Sequence, residues 1–162
     1  MIKILMDSDC IIKITKTGLK ELILSFFDVS IVEEVKIEVI DKGLGRGYMD
    51  AKVVKENIEK NKVKIIKGLG ESKGDDAIIK VFDRKIFNFV GTDDKSLIKK
   101  LEVLGIPYVV PGLLIYLVYK QGKIEKEKAL SFLEKLSLYI SDDEYFIVKF
   151  LIEGEKYGSK KY

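Results

Sequence analysis

A chain of 162 residues, 47% hydrophobic and 34% charged, has the composition of one soluble globular domain whose core needs neither disulfide nor metal. Its net charge of +3 is too close to zero to announce a nucleic-acid partner, and the single Cys10 excludes an internal disulfide and fits a reducing cytoplasm. The lack of histidine excludes more: no Ser-His-Asp triad, Cys-His pair, histidine-based ribonuclease mechanism or His/Cys zinc site can be assembled.

Residues 2–6 predict a short buried strand, too brief for a signal peptide. Residues 10–14 and 19–27 read as helices broken at Thr17-Gly18, and 28–31 as an extended stretch. Val32, Val35, Val39 and Ile40 recur at helical spacing. That spacing predicts a helix ending near Gly43, with Glu38 embedded among its apolar residues and partly buried. Residues 43–47 read as a loop, 48–61 as a charged amphipathic helix and 63–66 as a strand. A loop over 68–74 then leads into a helix over 75–85. Residues 87–91 form the next strand, 92–94 a turn, 95–105 a helix and 106–110 a last strand. Pro111 opens a helix-rich remainder, whose longest apolar run, 113–119, falls well short of the roughly 18–20 residues of a membrane span.

Strands alternating with helices predict an α/β fold, a three-layer α/β/α sandwich around a parallel sheet of four to five strands, plus C-terminal helices. The expected organisation is one domain over 1–154, with a core over 1–110, a helical extension over 111–154 and a basic tail over 155–162.

In such sheets ligands bind outside the carboxyl ends of the strands, at a topological switch point. Asp7 and Asp9 follow the first strand, Asp93 and Asp94 follow the strand at 87–91, and Asp75 and Asp76 open a helix at the same rim. Each pair alone is explained by a turn or helix cap. Together with Glu38 they are acidic groups that would repel one another strongly without a divalent ion between them. All-oxygen donor sets suit Mg²⁺ or Mn²⁺. Cys10 reads as a buried thiol, and the glycines at 43–47 lack the strand-to-helix setting of a nucleotide-binding turn.

ILMDSDCII resembles the first motif of the PIN domain family, an apolar strand followed by Asp, a small residue, a polar residue and apolar residues. SIVEEVKIEVI resembles the second, an extended stretch leading into a helix that bears Glu38. GDDAIIKVFDRKIFNFVGTDDKSLIKKLEVLGIPYVV resembles the remainder, so the likeness covers residues 2–110. PGLLIYLVYKQGKI and LSLYISDDEYFIVKFL are similar to the helical end of a small prokaryotic branch of that family. The resemblance implies a metal-dependent endoribonuclease using Mg²⁺ or Mn²⁺ on RNA, located in the cytoplasm. It also implies a homodimer and, if the chain is a VapC-type toxin, a small antitoxin protein as partner. Asp7, Glu38, Asp76 and Asp94 would be the catalytic metal ligands, supported by Asp9, Asp75, Thr92 and Asp93. Val32 stands where the family commonly has proline. With Arg46 and Arg84 the only arginines, phosphate contacts would fall to lysines, and Lys13, Lys95 and Lys99 near this rim fit RNA-backbone contacts and a solvated face equally well.

Two other expectations follow from the same residues. Asp-x-Asp after the first strand also resembles haloacid-dehalogenase-type phosphatases, in which Asp7 would be the nucleophile and Asp9 the acid/base. FVGTDDKSLIKKLEVLGIPYV fits the late motif of that family. However, Cys10 and Ile11 do not match its usual residues, no Ser/Thr-ending strand lies between, and Glu38 would have no role. The other expectation is a catalytically silent PIN-fold module that binds RNA or a protein.

Overall fold

A computed structural model of the protein describes residues 1–60, 62–68, 70 and 73–154. The basic tail at 155–162 and parts of the loop at 68–74 lie outside the described residues. The chain divides into two compact units, Met1–Val109 and Val110–Tyr162.

The first unit is built on five strands: β1 (Ile2–Met6), β2 (Phe27–Val32), β3 (Val63–Ile66), β4 (Phe89–Gly91) and β5 (Tyr108–Val109). They form one sheet in the order β3-β2-β1-β4-β5, with every pairing parallel. Between β1 and β3 lie α1 (Ser8–Lys16), α2 (Lys20–Phe26), α3 (Glu33–Lys36), a π-helical segment (Ile37–Asp41), α4 (Lys42–Gly45) and α5 (Met49–Glu59). Beyond β3 come α6 (Gly74–Val81) and α7 (Lys95–Val103). Right-handed crossovers put the helices of β1→β2 and β2→β3 on one face. Those of β3→β4 and β4→β5 then cover the other, which makes the α/β/α layering. The packing agrees on the first face, where α5 and the π-helical segment lie against α1, and on the other α6 packs against β2.

Because the sheet is covered on both faces, its inner strands are apolar on both sides. Ile4, Leu5, Met6, Val29, Ile31 and Val90 are wholly buried. Gly91 of β4 pairs with Met6 of β1. A Cβ there would lie 3.0 Å from Met6 Cγ and 3.1 Å from Ile4 Cγ2, tighter than ordinary contact.

Several element boundaries differ from the sequence expectation. The extended stretch at 28–31 is the full strand β2, and Val32 belongs to it, not to the following helix. The helix expected to stop near Gly43 runs on through the π-helical segment into α4 (Lys42–Gly45), so residues 43–45 are helical where a loop was expected. Gly43 is there for close approach: a Cβ would stand 2.7 Å from Ala51 Cβ on α5. The helix expected over 75–85 ends at Val81, because Phe82 turns extended and the Asp83 carboxylate accepts from the Lys85 backbone N–H at 2.8 Å, closing a side-chain-capped turn. That turn also delays β4 to Phe89.

The second unit packs α8 (Pro111–Lys120), α9 (Lys126–Leu136) and α10 (Asp142–Gly154) against one another. Pro111 occupies the first turn of α8, where its missing N–H has no intrahelical partner to lose. Glu144 on α10 accepts from the Gly112 backbone N–H at 2.7 Å, which satisfies one of the free donors at that helix start. Among the described residues no helix is long and apolar enough to cross a membrane.

Candidate functional site

The strand order fixes where a site can form. From β1 the chain moves to β2 on one side, whereas β4 and β5 lie on the other, so the connections leaving β1 and β4 diverge and open a crevice between their carboxyl ends. Met6 pairs with Gly91 in register, so Asp7 and Thr92 are the first residues past the ladder on adjacent strands. The Asp7 backbone N–H still donates to the Gly91 carbonyl, at 3.0 Å.

Asp7 is the N-cap of α1: its Oδ1 accepts from the Cys10 backbone N–H at 2.7 Å. Its Oδ2 accepts from the Thr92 hydroxyl. The side chain is almost wholly enclosed, 4% exposed. Burial pushes its pKa up from 3.8 to about 7. The hydrogen bonds from Thr92 and Cys10 oppose the rise, while the charges of Asp9 and Asp93 add to it. A cap needs no carboxylate, since Ser, Thr or Asn serves as well without the desolvation. Its buried charge therefore distinguishes Asp7 from an ordinary turn residue.

Thr92 is fully buried and works in two directions. While donating to Asp7, its hydroxyl oxygen accepts from the Asp94 backbone N–H at 3.1 Å. Asp94 in turn caps α7, its Oδ1 accepting from the Leu97 N–H at 2.8 Å. Asp7, Thr92 and Asp94 thus form one hydrogen-bonded chain across the mouth of the crevice. Asp93, between them, is held by Lys13 of α1, whose Nζ lies 2.7 and 2.6 Å from the two carboxylate oxygens.

Glu38 is exposed, not partly buried as its apolar neighbours suggested. Val35, Val39 and Ile40 take the inward side of the helix and leave Glu38 on the outward side, on the π-helical segment. Such segments, with i→i+5 hydrogen bonding and wider turns, are rare and are frequently found at functional sites. Glu38 borders two cavities. It shares one of about 290 Å³ with Ser8, Asp9 and Ile12, and one of about 410 Å³ with Glu34, Ile37, Lys73, Gly74 and Asp75. Asp9 is exposed. Among the described residues, neither cavity is lined by Asp7 or Asp94.

The Asp75–Asp76 pair divides differently from the expectation. Asp76, expected as the ligand, lies 3.3 Å from Lys100 Nζ, whereas Asp75, expected in support, faces the larger cavity beside Glu38. Burial raises the Asp75 pKa; Lys100 opposes this, and the charges of Asp94 and Asp76 add to it. Asp75 and Asp94 are therefore electrostatic neighbours.

Sequence reasoning passed over Glu34. It stands one helical turn before Glu38, and its buried Oε2 has no hydrogen-bond partner. A Cβ at Gly68 would lie 2.1 Å from both of its carboxylate oxygens, so a side chain there would push this carboxylate aside. The i,i+4 spacing of Glu34 and Glu38 was the available signal.

These donors are all oxygens, which suits a hard divalent cation, and the orphaned Glu34 oxygen beside its glycine cradle fits one as well. The acids stand as neighbours at one rim and are not drawn tightly together: among the described residues, no three Asp, Glu or Cys side chains converge as a ready-made metal site. No family model matches the sequence, and no curated protein matches it.

Proposed function

We propose that the protein is a divalent-metal-dependent endoribonuclease of the PIN type, working in the cytoplasm on RNA phosphodiesters. The observation that carries this reading is the desolvated Asp7 carboxyl at the switch-point crevice, joined through Thr92 to Asp94. Mg²⁺ or Mn²⁺ would be held by Asp7, Glu38, Asp94 and an acid of the Asp75–Asp76 pair, with Asp9 and Asp93 alongside. Such an ion lowers the pKa of a bound water and stabilises charge developing on the phosphate, which supplies what a chain without histidine cannot. Thr92 keeps the Asp7 carboxyl pointed by donating to Oδ2, and Asp94 is fixed by its own cap through Oδ1. Burial around Asp7 excludes water other than that brought in by the ion or the substrate.

The test is cleavage of a mixed RNA substrate with Mn²⁺ and with chelator, using wild type, Asp7→Asn and Asp94→Asn. Cleavage is expected only for wild type with metal; cleavage that survives both substitutions refutes the proposal. Turnover of a small phosphate ester, blocked by a fluoride-type phosphate mimic, would instead identify a phosphatase with Asp7 as nucleophile. A second reading, a silent PIN-fold module, is favoured by the ungathered carboxylates and by the lysines that already neutralise part of the acidic rim. It predicts RNA or protein binding with no Mn²⁺ uptake. Homodimerisation and a small antitoxin partner belong to the toxin form of the proposal and are tested by sedimentation and by co-purification.

A further inference from the structure

We infer that the smaller cavity beside Glu38 is a nucleotide subsite for single-stranded RNA, with a base stacked on Tyr48 and the adjoining phosphate held by Arg46 and Lys42. The inference names the form of substrate for the activity proposed above and rests on that reading.

The glycines at 43–47 build this subsite without cradling a phosphate themselves. The end of α4 is a Schellman cap: the Tyr48 N–H donates to the Gly43 carbonyl and the Gly47 N–H to the Leu44 carbonyl, both at 3.0 Å. Gly47 takes the left-handed conformation that this cap requires, with φ of 75°. Arg46 is the C-cap of α4 and Tyr48 the N-cap of α5, so both backbones are fixed, one on either side of that glycine. A Cβ at Gly43 would come within 4.0 Å of Tyr48 Cδ2. One edge of the ring therefore lies beside Gly43, while the residue as a whole is 53% exposed.

Arg46 and Arg84 are the only arginines, and Arg84 is occupied by the fold, donating to the Gly105 carbonyl. Among the described residues the Arg46 guanidinium has no hydrogen-bond or ion-pair partner. A free guanidinium presents a planar fork that fits two phosphate oxygens. Lys42 stands one helical turn before Arg46 and lines the same cavity, which adds a second positive charge. Asp9, Glu38 and Asp50 line it too. Ionised carboxylates accept hydrogen bonds and cannot donate them, so they suit the 2′-hydroxyl and exocyclic amines of a nucleotide and not its phosphate. The walls thus offer both kinds of partner that one nucleotide needs. At about 290 Å³ the cavity is at the small end of ligand sites, which run to roughly 300–1,000 Å³. It has room for one base and its sugar, not for a duplex. Bases inside a duplex are also stacked on one another, which leaves no face for Tyr48. Asp9 and Glu38 belong to the acidic rim as well, so a strand anchored here is led to it.

The test is fluorescence anisotropy in chelator with a labelled single-stranded RNA of mixed sequence, the matching duplex and the matching single-stranded DNA. The proteins are wild type, Tyr48→Phe, Tyr48→Leu, Arg46→Lys and Arg46→Ala, and cleavage of the same RNA in Mn²⁺ is followed in parallel. Wild type should prefer the single-stranded RNA to the duplex by about tenfold or more, and to the DNA by a smaller margin. Tyr48→Phe keeps the ring and should bind like wild type. Tyr48→Leu keeps apolar bulk without a stacking face and should bind about tenfold more weakly. Arg46→Ala should reduce the slope of log Kd against log salt by about 0.7, the share of one phosphate contact on a single strand. Arg46→Lys should keep the slope and bind more weakly. The exposed Arg46 variants keep the test decisive if Tyr48→Leu does not fold. Tyr48→Leu binding like wild type, an unchanged slope in Arg46→Ala, duplex or DNA bound as tightly as single-stranded RNA, or no RNA binding by wild type would each overturn the subsite. Cleavage in Mn²⁺ would then stand without it. Displacement of the RNA by adenosine monophosphate at equal concentration would overturn it in favour of a free-nucleotide site. Binding with the expected signatures but no cleavage by wild type would overturn the activity and leave the subsite to a silent RNA-binding module.

Discussion

Replacing Asp7 with asparagine is expected to stabilise the metal-free protein above neutral pH while abolishing RNA cleavage. In the folded chain the Asp7 pKa is raised from 3.8 to about 7. Below the unfolded value both states hold the proton and the residue makes no difference. As pH rises through that value the unfolded chain releases its proton while the folded one retains it, so stability falls until the folded group also ionises near neutrality. A rise of about three pKa units at about 1.4 kcal/mol each makes the full penalty about 4 kcal/mol. Asparagine caps a helix as well as aspartate, and its amide can accept from Cys10 and donate to the Thr92 hydroxyl. Urea unfolding in chelator, on wild type and Asp7→Asn in parallel, isolates this group from all others that titrate. The two stabilities should converge near about pH 4 and separate in favour of Asp7→Asn, by as much as about 4 kcal/mol, near about pH 8. Saturating Mn²⁺ should shift the balance back towards wild type, by about 2.7 kcal/mol at a hundredfold excess over Kd. A difference that does not change with pH, or a wild type that is the more stable protein at the alkaline end, would refute the assignment of a buried, desolvated carboxyl.

Thr92→Val keeps the shape of the side chain and removes the hydroxyl, leaving Asp7 Oδ2 and the Asp94 N–H unpaired. It should cost about 1–3 kcal/mol in denaturant unfolding and push the Asp7 pKa still higher. Glu34→Met should raise the melting temperature in chelator, because the wild-type residue carries a buried oxygen with no partner.

Residue periodicity alone sets the alternation of strands and helices, and with it a parallel, doubly covered sheet whose working edge is the carboxyl rim. Asp7 and Asp94 were legible for that reason: Asp7 directly follows β1 and Asp94 stands three residues past β4, whatever the order of the strands proves to be. Segment periodicity carries no information about which strands become neighbours, so the strand order and everything across it came from the tertiary structure. Only the β1–β4 pairing brings Thr92 to Asp7 and Asp93 to Lys13, partners separated by 85 and 80 residues. The exposure of Glu38 was misjudged because apolar neighbours in sequence say nothing about which side of a π-helical segment a side chain takes. The division of roles between Asp75 and Asp76, and the pairing of Glu34 with Gly68, depend on how α6 and the segment after β3 meet α3. Chain direction and hydrophobic period decide locally where an acid can stand. Its desolvation, and hence its pKa and chemistry, is set by atoms that only folding brings within a few ångströms.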